Sequence, residues 1–216
     1  MSTRGLPLSV LVVDVSVPWE EALKDLERGY SVWNWHESGE RQFQRGEVAA
    51  EAATLKYPHG SARAGFDAIV DVMRLASTFG LPCYGVDSCS PWTCDDPPGV
   101  CFSLRPYVPQ GNVYTKYDYG AFGDRCDLGG RLMSDGCRHL LIVGYDRDCC
   151  VLETARGAVE RGMKVVTSEH CMLTVDRRVA REESLRYYRG ATCYLESLVA
   201  VFRYLHRHRV RDAVLL

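Results

Sequence analysis

The sequence predicts an α/β fold built on a mostly parallel sheet, and three observations carry that prediction. Short apolar runs recur along the chain at Leu8 to Val13, Cys83 to Val86, His139 to Val143 and Lys164 to Thr167. They are continuous rather than alternating, as strands covered on both faces are. Between them lie segments whose apolar residues recur at helical spacing, the pattern of strand–helix–strand units.

Leu8 to Val13 is a buried strand whose carboxyl end presents Asp14. Trp19 to Arg28 is compatible with a short helix, whereas Gly29 to Ala64 mixes aromatics, charges, Gly and Pro without a sustained period and is expected to be an excursion or cap. Phe66, Ile69, Val70, Met73 and Ser77 share a helical face, and Gly80-Leu81-Pro82 stops that helix. Cys83 to Val86 follows as a strand. Ser88 to Gln110 contains five prolines and is expected to be a loop over the surface or an active-site mouth. Val113 to Tyr117 is a short strand, Leu128 and Leu132 mark a helix ended by Gly136, and His139 to Val143 is the cleanest strand of the chain. After the polar turn Tyr145-Asp146-Arg147-Asp148 a helix starts near Cys149, with Leu152, Ala155 and Val159 on its inner face, and Gly162 closes it. Lys164 to Thr167 is a strand, and Asp176 to Arg189 a solvated helix. A last helix is expected to carry Tyr194, Leu198, Val201, Phe202 and Leu205, with Val210 to Leu216 as a possible edge strand. One domain, residues 1–216, accounts for the whole chain.

The 216 residues are 46% hydrophobic and 25% charged, and 26 basic against 28 acidic side chains leave a net charge of −2. That balance argues against a nucleic-acid partner, which needs a basic face. No apolar run approaches the roughly 20 residues of a membrane span, and the start lacks a signal peptide's apolar segment. The expectation is therefore a cytoplasmic protein with no membrane partner, in which the 10 cysteines stay reduced. A chain of this length needs neither disulfide nor metal to hold its core. A metal site from Cys83, Cys89, Cys94 and Cys101 is disfavoured, because their intervals are not those of zinc-binding pairs.

In parallel sheets ligands bind beyond the carboxyl ends of the strands. Three such ends deliver Asp14, Lys116 and, through the turn after His139 to Val143, the adjacent Cys149 and Cys150. A carboxylate, an ammonium and a thiol at one sheet edge make a candidate nucleophile with its activating groups. A helix N-terminus and a nearby lysine are expected to favour thiolate. Each residue alone has an ordinary explanation as a turn residue, a solvated lysine or a small buried hydrophobe. Only their joint placement points to catalysis.

The run Gly144-Tyr145-Asp146-Arg147-Asp148-Cys149-Cys150-Val151 followed by Glu153-Thr154-Ala155 resembles the nucleophile segment of the isochorismatase-like cysteine hydrolases. Lys116 with Gly120-Ala121-Phe122 is similar to that family's lysine segment, and Asp14 after Val10 to Val13 to its first-strand acid. The resemblance runs from about Leu8 to Leu205. It implies a Rossmann-like three-layer α/β/α sandwich and hydrolysis of a small amide, carbamoyl or ureido C–N bond through a thioester, with Asp14, Lys116 and Cys150 as the triad and no cofactor. It also implies a cis peptide between Tyr145 and Asp146, placing the Asp146 and Cys150 amides as an oxyanion hole, and assembly into dimers or tetramers around a small-molecule substrate. The chain departs from the pattern in three places. Arg147 stands where threonine is usual and Asp146 where a small residue is, which puts charge beside the site. Asp87-Ser88-Cys89 lacks the histidines of the metal-binding nicotinamidases, so no metal is expected. The excursion, with Trp33, Trp35 and His36, has no counterpart. Trp92, Arg147, Glu169 and His170 are candidates for the substrate pocket. A second reading, a binding or scaffolding protein without turnover, is motivated by Tyr145 and Arg147 as side chains that would fill that pocket.

Overall fold

The computed structural model describes residues 8–15, 55–57, 59–88, 99–175 and 178–209. Trp19 to Arg28, Trp33, Trp35, His36, Cys89, Trp92, Cys94 and Val210 to Leu216 lie outside the described residues.

Six parallel strands form the main sheet. In chain order the strands are β1 (Leu8–Val13), β2 (Leu55–Lys56), β3 (Cys83–Ser88), β4 (Val113–Lys116), β5 (His139–Gly144), β6 (Lys164–Thr167), β7 (Thr174–Val175) and β8 (Cys193–Tyr194). The sheet order is β4-β3-β1-β5-β6-β8, and β2 pairs antiparallel with β7 as a separate two-stranded sheet. The helices are α1 (Ala62–Thr78), α2 (Leu128–Ser134), α3 (Cys150–Glu160), α4 (Arg178–Ala191) and α5 (Leu198–His208).

Alternation along the strands sorts the core into two layers. Val10 and Val12 of β1, with Leu141 and Val143 of β5, meet Phe66, Ile69 and Met73 of α1 and Val201 and Leu205 of α5. Leu11 and Val13, with Leu140 and Ile142, meet Leu132 of α2, Val151 and Ala155 of α3 and Tyr188 of α4. Because both faces of each central strand are covered, β1 and β5 carry no polar alternation. This is a three-layer α/β/α sandwich.

Several boundaries differ from the sequence expectation. β3 runs two residues further, to Ser88, because Asp87 and Ser88 pair with Thr115 and Lys116 of β4. Tyr194 belongs to an edge strand and not to the last helix. That helix begins after Ser197, whose hydroxyl accepts from the Ala200 N–H and so satisfies a donor the first turn leaves open. β8 takes the sheet edge beside β6. The end of the expected excursion is ordered into β2 and the start of α1, which Ser61 caps through the Ala64 N–H.

Candidate active site

Parallel pairing brings the ends of β3, β1 and β4 to one edge. Asp14 follows β1 directly, with φ of 52° and its N–H bonded to the Val86 carbonyl at 2.9 Å. Aspartate tolerates this left-handed conformation better than most residues, and it turns the side chain out of the strand register. The β3–β4 register places Ser88 beside Lys116. On the other side of β1, Gly144 ends β5 at φ 128°, so close to β1 that a Cβ there would lie 2.2 Å from the Val13 carbonyl oxygen. The next N–H, of Tyr145, bonds that same oxygen at 2.9 Å. Only glycine lets the segment carrying the thiol approach the end of β1 so closely.

The geometry joins all three sequence candidates through one ammonium. Lys116, 1% exposed, places Nζ 3.0 Å from Asp14 Oδ2 and 3.5 Å from Cys150 Sγ. It also donates to Ser88 Oγ at 2.6 Å and to the Asp118 carbonyl at 3.2 Å. Ser88 in turn donates to Asp14 Oδ1 at 2.8 Å. Sequence reasoning missed this serine, and its only signal was the extra length of β3. Ser88 holds one carboxylate oxygen, Lys116 the other, and the thiol lies against the same cation.

The electrostatics correct one expectation. Burial, reinforced by the Asp14 charge, pushes the Cys150 thiol well above its ordinary pKa, and Lys116 offsets only part of this. The lysine therefore does not make a resting thiolate, because desolvation of the anion outweighs it. Burial also opposes the Lys116 charge, but Asp14 and Cys150 more than compensate, and its pKa lies above the usual lysine value. Close by, burial and the Asp14 charge push Asp87 up to about 7.

The turns around the site have identifiable supports. Thr154 of α3 accepts from the Ala121 N–H at 3.1 Å, which ties the Gly120-Ala121-Phe122 segment after Lys116 to the helix that begins at Cys150. A Cβ on Gly157 would lie 2.9 Å from the Phe122 Cβ, so α3 and that segment are in close contact. The Tyr145–Asp146 peptide bond is cis.

The remaining sequence candidates fall elsewhere. Tyr145 is buried in the core layer of α1 and α5. Arg147, also 1% exposed, makes a two-point ion pair with its neighbour Asp148, Nε to Oδ1 and Nη2 to Oδ2, both at 2.7 Å. Its Nη1 lies 3.8 Å from Glu169 Oε2. Glu169 Oε1 is 3.5 Å from His59 Nε2, and His59 stacks on His170 with ring centroids 3.5 Å apart. Arg147, Glu169 and His170 thus form a second polar cluster, and the Arg147 head is committed to Asp148. An arginine at a strand-end turn suggests exposure, and only the acid beside it in sequence hinted otherwise. Among the described residues no group of three or more His, Cys, Asp or Glu side chains is placed to hold a metal ion.

A parallel α/β sandwich with an acid, a lysine and a half-buried thiol gathered at one strand edge defines a class of fold and site. The Isochorismatase domain model matches residues 90–198, just over half of the chain, and the chain belongs to the isochorismatase family. No curated protein matches it. Among solved structures it is similar to an isochorismatase-family protein from Chromobacterium violaceum, at 18% identity and a TM-score of 0.64, over 93% of this chain and 94% of the other. An octameric hydrolase of unknown specificity from Escherichia coli aligns at 16% identity and a TM-score of 0.63, over 96% and 84%. N-carbamoylsarcosine amidase from Thermoplasma acidophilum aligns at 18% and 0.52, over 86% and 94%. At these identities the likenesses bear on the fold.

Proposed function

We propose that this protein is a cysteine-dependent hydrolase that cleaves a small-molecule C–N bond of an amide, carbamoyl or ureido group. The observation that carries the reading is the Lys116 ammonium shared by Asp14 Oδ2 at 3.0 Å and Cys150 Sγ at 3.5 Å. A thiol held neutral by burial needs a base at the moment of attack, and the carboxylate beside it supplies one. As Sγ bonds to the substrate carbonyl carbon, its proton passes to Asp14 Oδ2. The negative charge leaves Asp14 and ends on the carbonyl oxygen, and the thiolate character that develops on Sγ along the way faces the same Lys116 cation as the carboxylate, so little reorganisation is needed there. The Asp146 and Cys150 N–H groups are assigned to the resulting oxyanion. Collapse breaks the C–N bond, Asp14 returns its proton to the leaving nitrogen, and a thioester remains on Cys150. Water, deprotonated by Asp14, then attacks the thioester, and the carboxylic or carbamic acid leaves as Sγ regains its proton.

The amidase activity named for the Thermoplasma acidophilum relative fits this chemistry. The proposal extends to a cytoplasmic location and to homo-oligomers, for which the octameric Escherichia coli relative is a precedent. Among the described residues no helix is long and apolar enough to cross a membrane. The buried placements of Tyr145 and Arg147 remove the motive for a filled, non-catalytic pocket. The test is a panel of small amides, carbamates and ureides assayed with the wild-type protein and Cys150→Ala. Turnover by the former that is abolished in the latter, with an unchanged circular dichroism spectrum, supports the proposal. A panel with no hydrolysis by wild type favours a binding protein.

A further inference from the structure

The proposed reaction leaves unused the ion pair of Arg147 and Asp148, although both side chains are buried. Enclosing such a pair is often no more stabilising than an apolar pair of similar volume. Its connections suggest a different use. Asp148 accepts the Ser184 hydroxyl of α4 and lies 2.8 Å from the Thr174 hydroxyl of β7. Thr174 Oγ1 is also 3.0 Å from Asp146 Oδ1, the oxygen that accepts the Asp148 N–H at 3.1 Å. The Arg147 backbone is held on both sides, its N–H by the Leu173 carbonyl at 2.9 Å and its carbonyl by the Tyr188 hydroxyl of α4 at 2.5 Å. The Asp146 carbonyl then accepts from the Cys149 and Val151 N–H groups at 3.1 and 2.9 Å, which fixes the first turn of α3 around Cys150. The segment 146–148 is therefore anchored to β7, to the preceding Leu173 and to α4, while the guanidinium neutralises the acid at the centre of those anchors.

We propose that the Arg147–Asp148 pair is a positioning device for the oxyanion-binding turn, fixing the Asp146 and Cys150 amides through Thr174, Ser184 and Tyr188. This deepens the hydrolase reading and rests on it for its kinetic consequence. The pair touches neither Asp14, Lys116 nor Cys150 Sγ through any hydrogen bond or ion pair described, so it acts on the amides and leaves the nucleophile's own activation alone.

Two variants test this. Tyr188→Phe removes only the hydroxyl that holds the Arg147 carbonyl, and Arg147→Met with Asp148→Leu replaces the pair by apolar side chains without leaving a buried charge. Loss of oxyanion alignment predicts a fall in kcat of about tenfold to a hundredfold with KM little changed. Alkylation of Cys150 by iodoacetamide, which develops no oxyanion, should keep its wild-type rate and pH profile. Hydrogen exchange at the Asp146 and Cys150 amides should speed about tenfold. Wild-type kcat in the folded variants, alkylation falling in parallel with kcat, or unchanged exchange at both amides would each overturn the proposal. If the double variant does not fold, Ser184→Ala, which removes the α4 hydroxyl bonded to the Asp148 carboxylate, decides on the same readouts. Faster amide exchange in variants of a protein that hydrolyses nothing would sink the hydrolase reading while leaving the positioning role standing.

Discussion

Ser88 and Asp87 sit side by side at the end of β3 and act on Asp14 in different ways. Ser88 occupies Oδ1 and shares Lys116, so its loss leaves a buried ammonium short of one acceptor and lets the carboxylate rotate. Hydrogen bonds to charged groups contribute roughly 1.5–3 kcal/mol, and Ser88→Ala should lower kcat/KM at least about tenfold, with Ser88→Thr restoring most of it; steady-state kinetics on the two variants checks this. Asp87 is neutral below its pKa of about 7 and negative above it. Its ionisation adds a second negative charge near a step that itself develops an anion, so kcat/KM should fall as pH rises through 7. Asp87→Asn should abolish that limb of the profile. Neither role was legible in the sequence, where Asp87-Ser88 appeared only as the place where nicotinamidase histidines are absent. What hid them is register: the side chains become site residues only because β3 extends to pair with β4.

Among the elements, the buried strands and the amphipathic helices were legible and the two-residue strands were not. β1, β5 and β6 from Val165 onward announce themselves because both faces are covered and every side chain there must be apolar or satisfied. β8 is two residues long, and Tyr194 lies at helical spacing from Leu198, so periodicity alone assigned it to the wrong element. β2 and β7 exist through their pairing with each other, which no local pattern encodes. The contact between β1 and β5 carries the clearest prediction at this scale. Gly144→Ala forces a Cβ into backbone that cannot yield, and urea unfolding should show a loss of more than about 2 kcal/mol. Gly136→Ala, at φ 72° but with open space around it, should cost only about 1 kcal/mol, the strain of the backbone alone.

For the whole molecule, the sheet order explains why residues 14, 116 and 150 meet: β1 and β5 are neighbours, and β3 separates β1 from β4 by one strand. The strand-end argument from sequence brought Asp14, Lys116 and the pair Cys149 and Cys150 to one edge because it depends on parallel pairing, which continuous apolar strands imply; the choice of Cys150 within the pair came from the family resemblance. The burial of Arg147 lay outside the strand-end argument's reach, because burial of a charged head depends on α4 and β7 folding over the turn. The same enclosure has a consequence for acid stability. Burial opposes ionisation of Asp148, but Arg147, Ser184 and Thr174 outweigh it and hold the carboxyl below its ordinary range. A carboxylate depressed in the fold contributes stability above its unfolded pKa and loses it as pH falls through the folded value. Denaturation midpoints of the wild type should therefore drop as pH falls below about 4, and more steeply than those of the apolar Arg147→Met, Asp148→Leu double variant.

Intact-mass analysis during turnover of a slowly hydrolysed amide or ester addresses the central claim most directly. A single acyl adduct, located on Cys150 by peptide mapping and absent from Cys150→Ala, is the result the shared Lys116 cation predicts. Hydrolysis that proceeds at the wild-type rate in Cys150→Ala, or an adduct spread over several of the other cysteines, would contradict it.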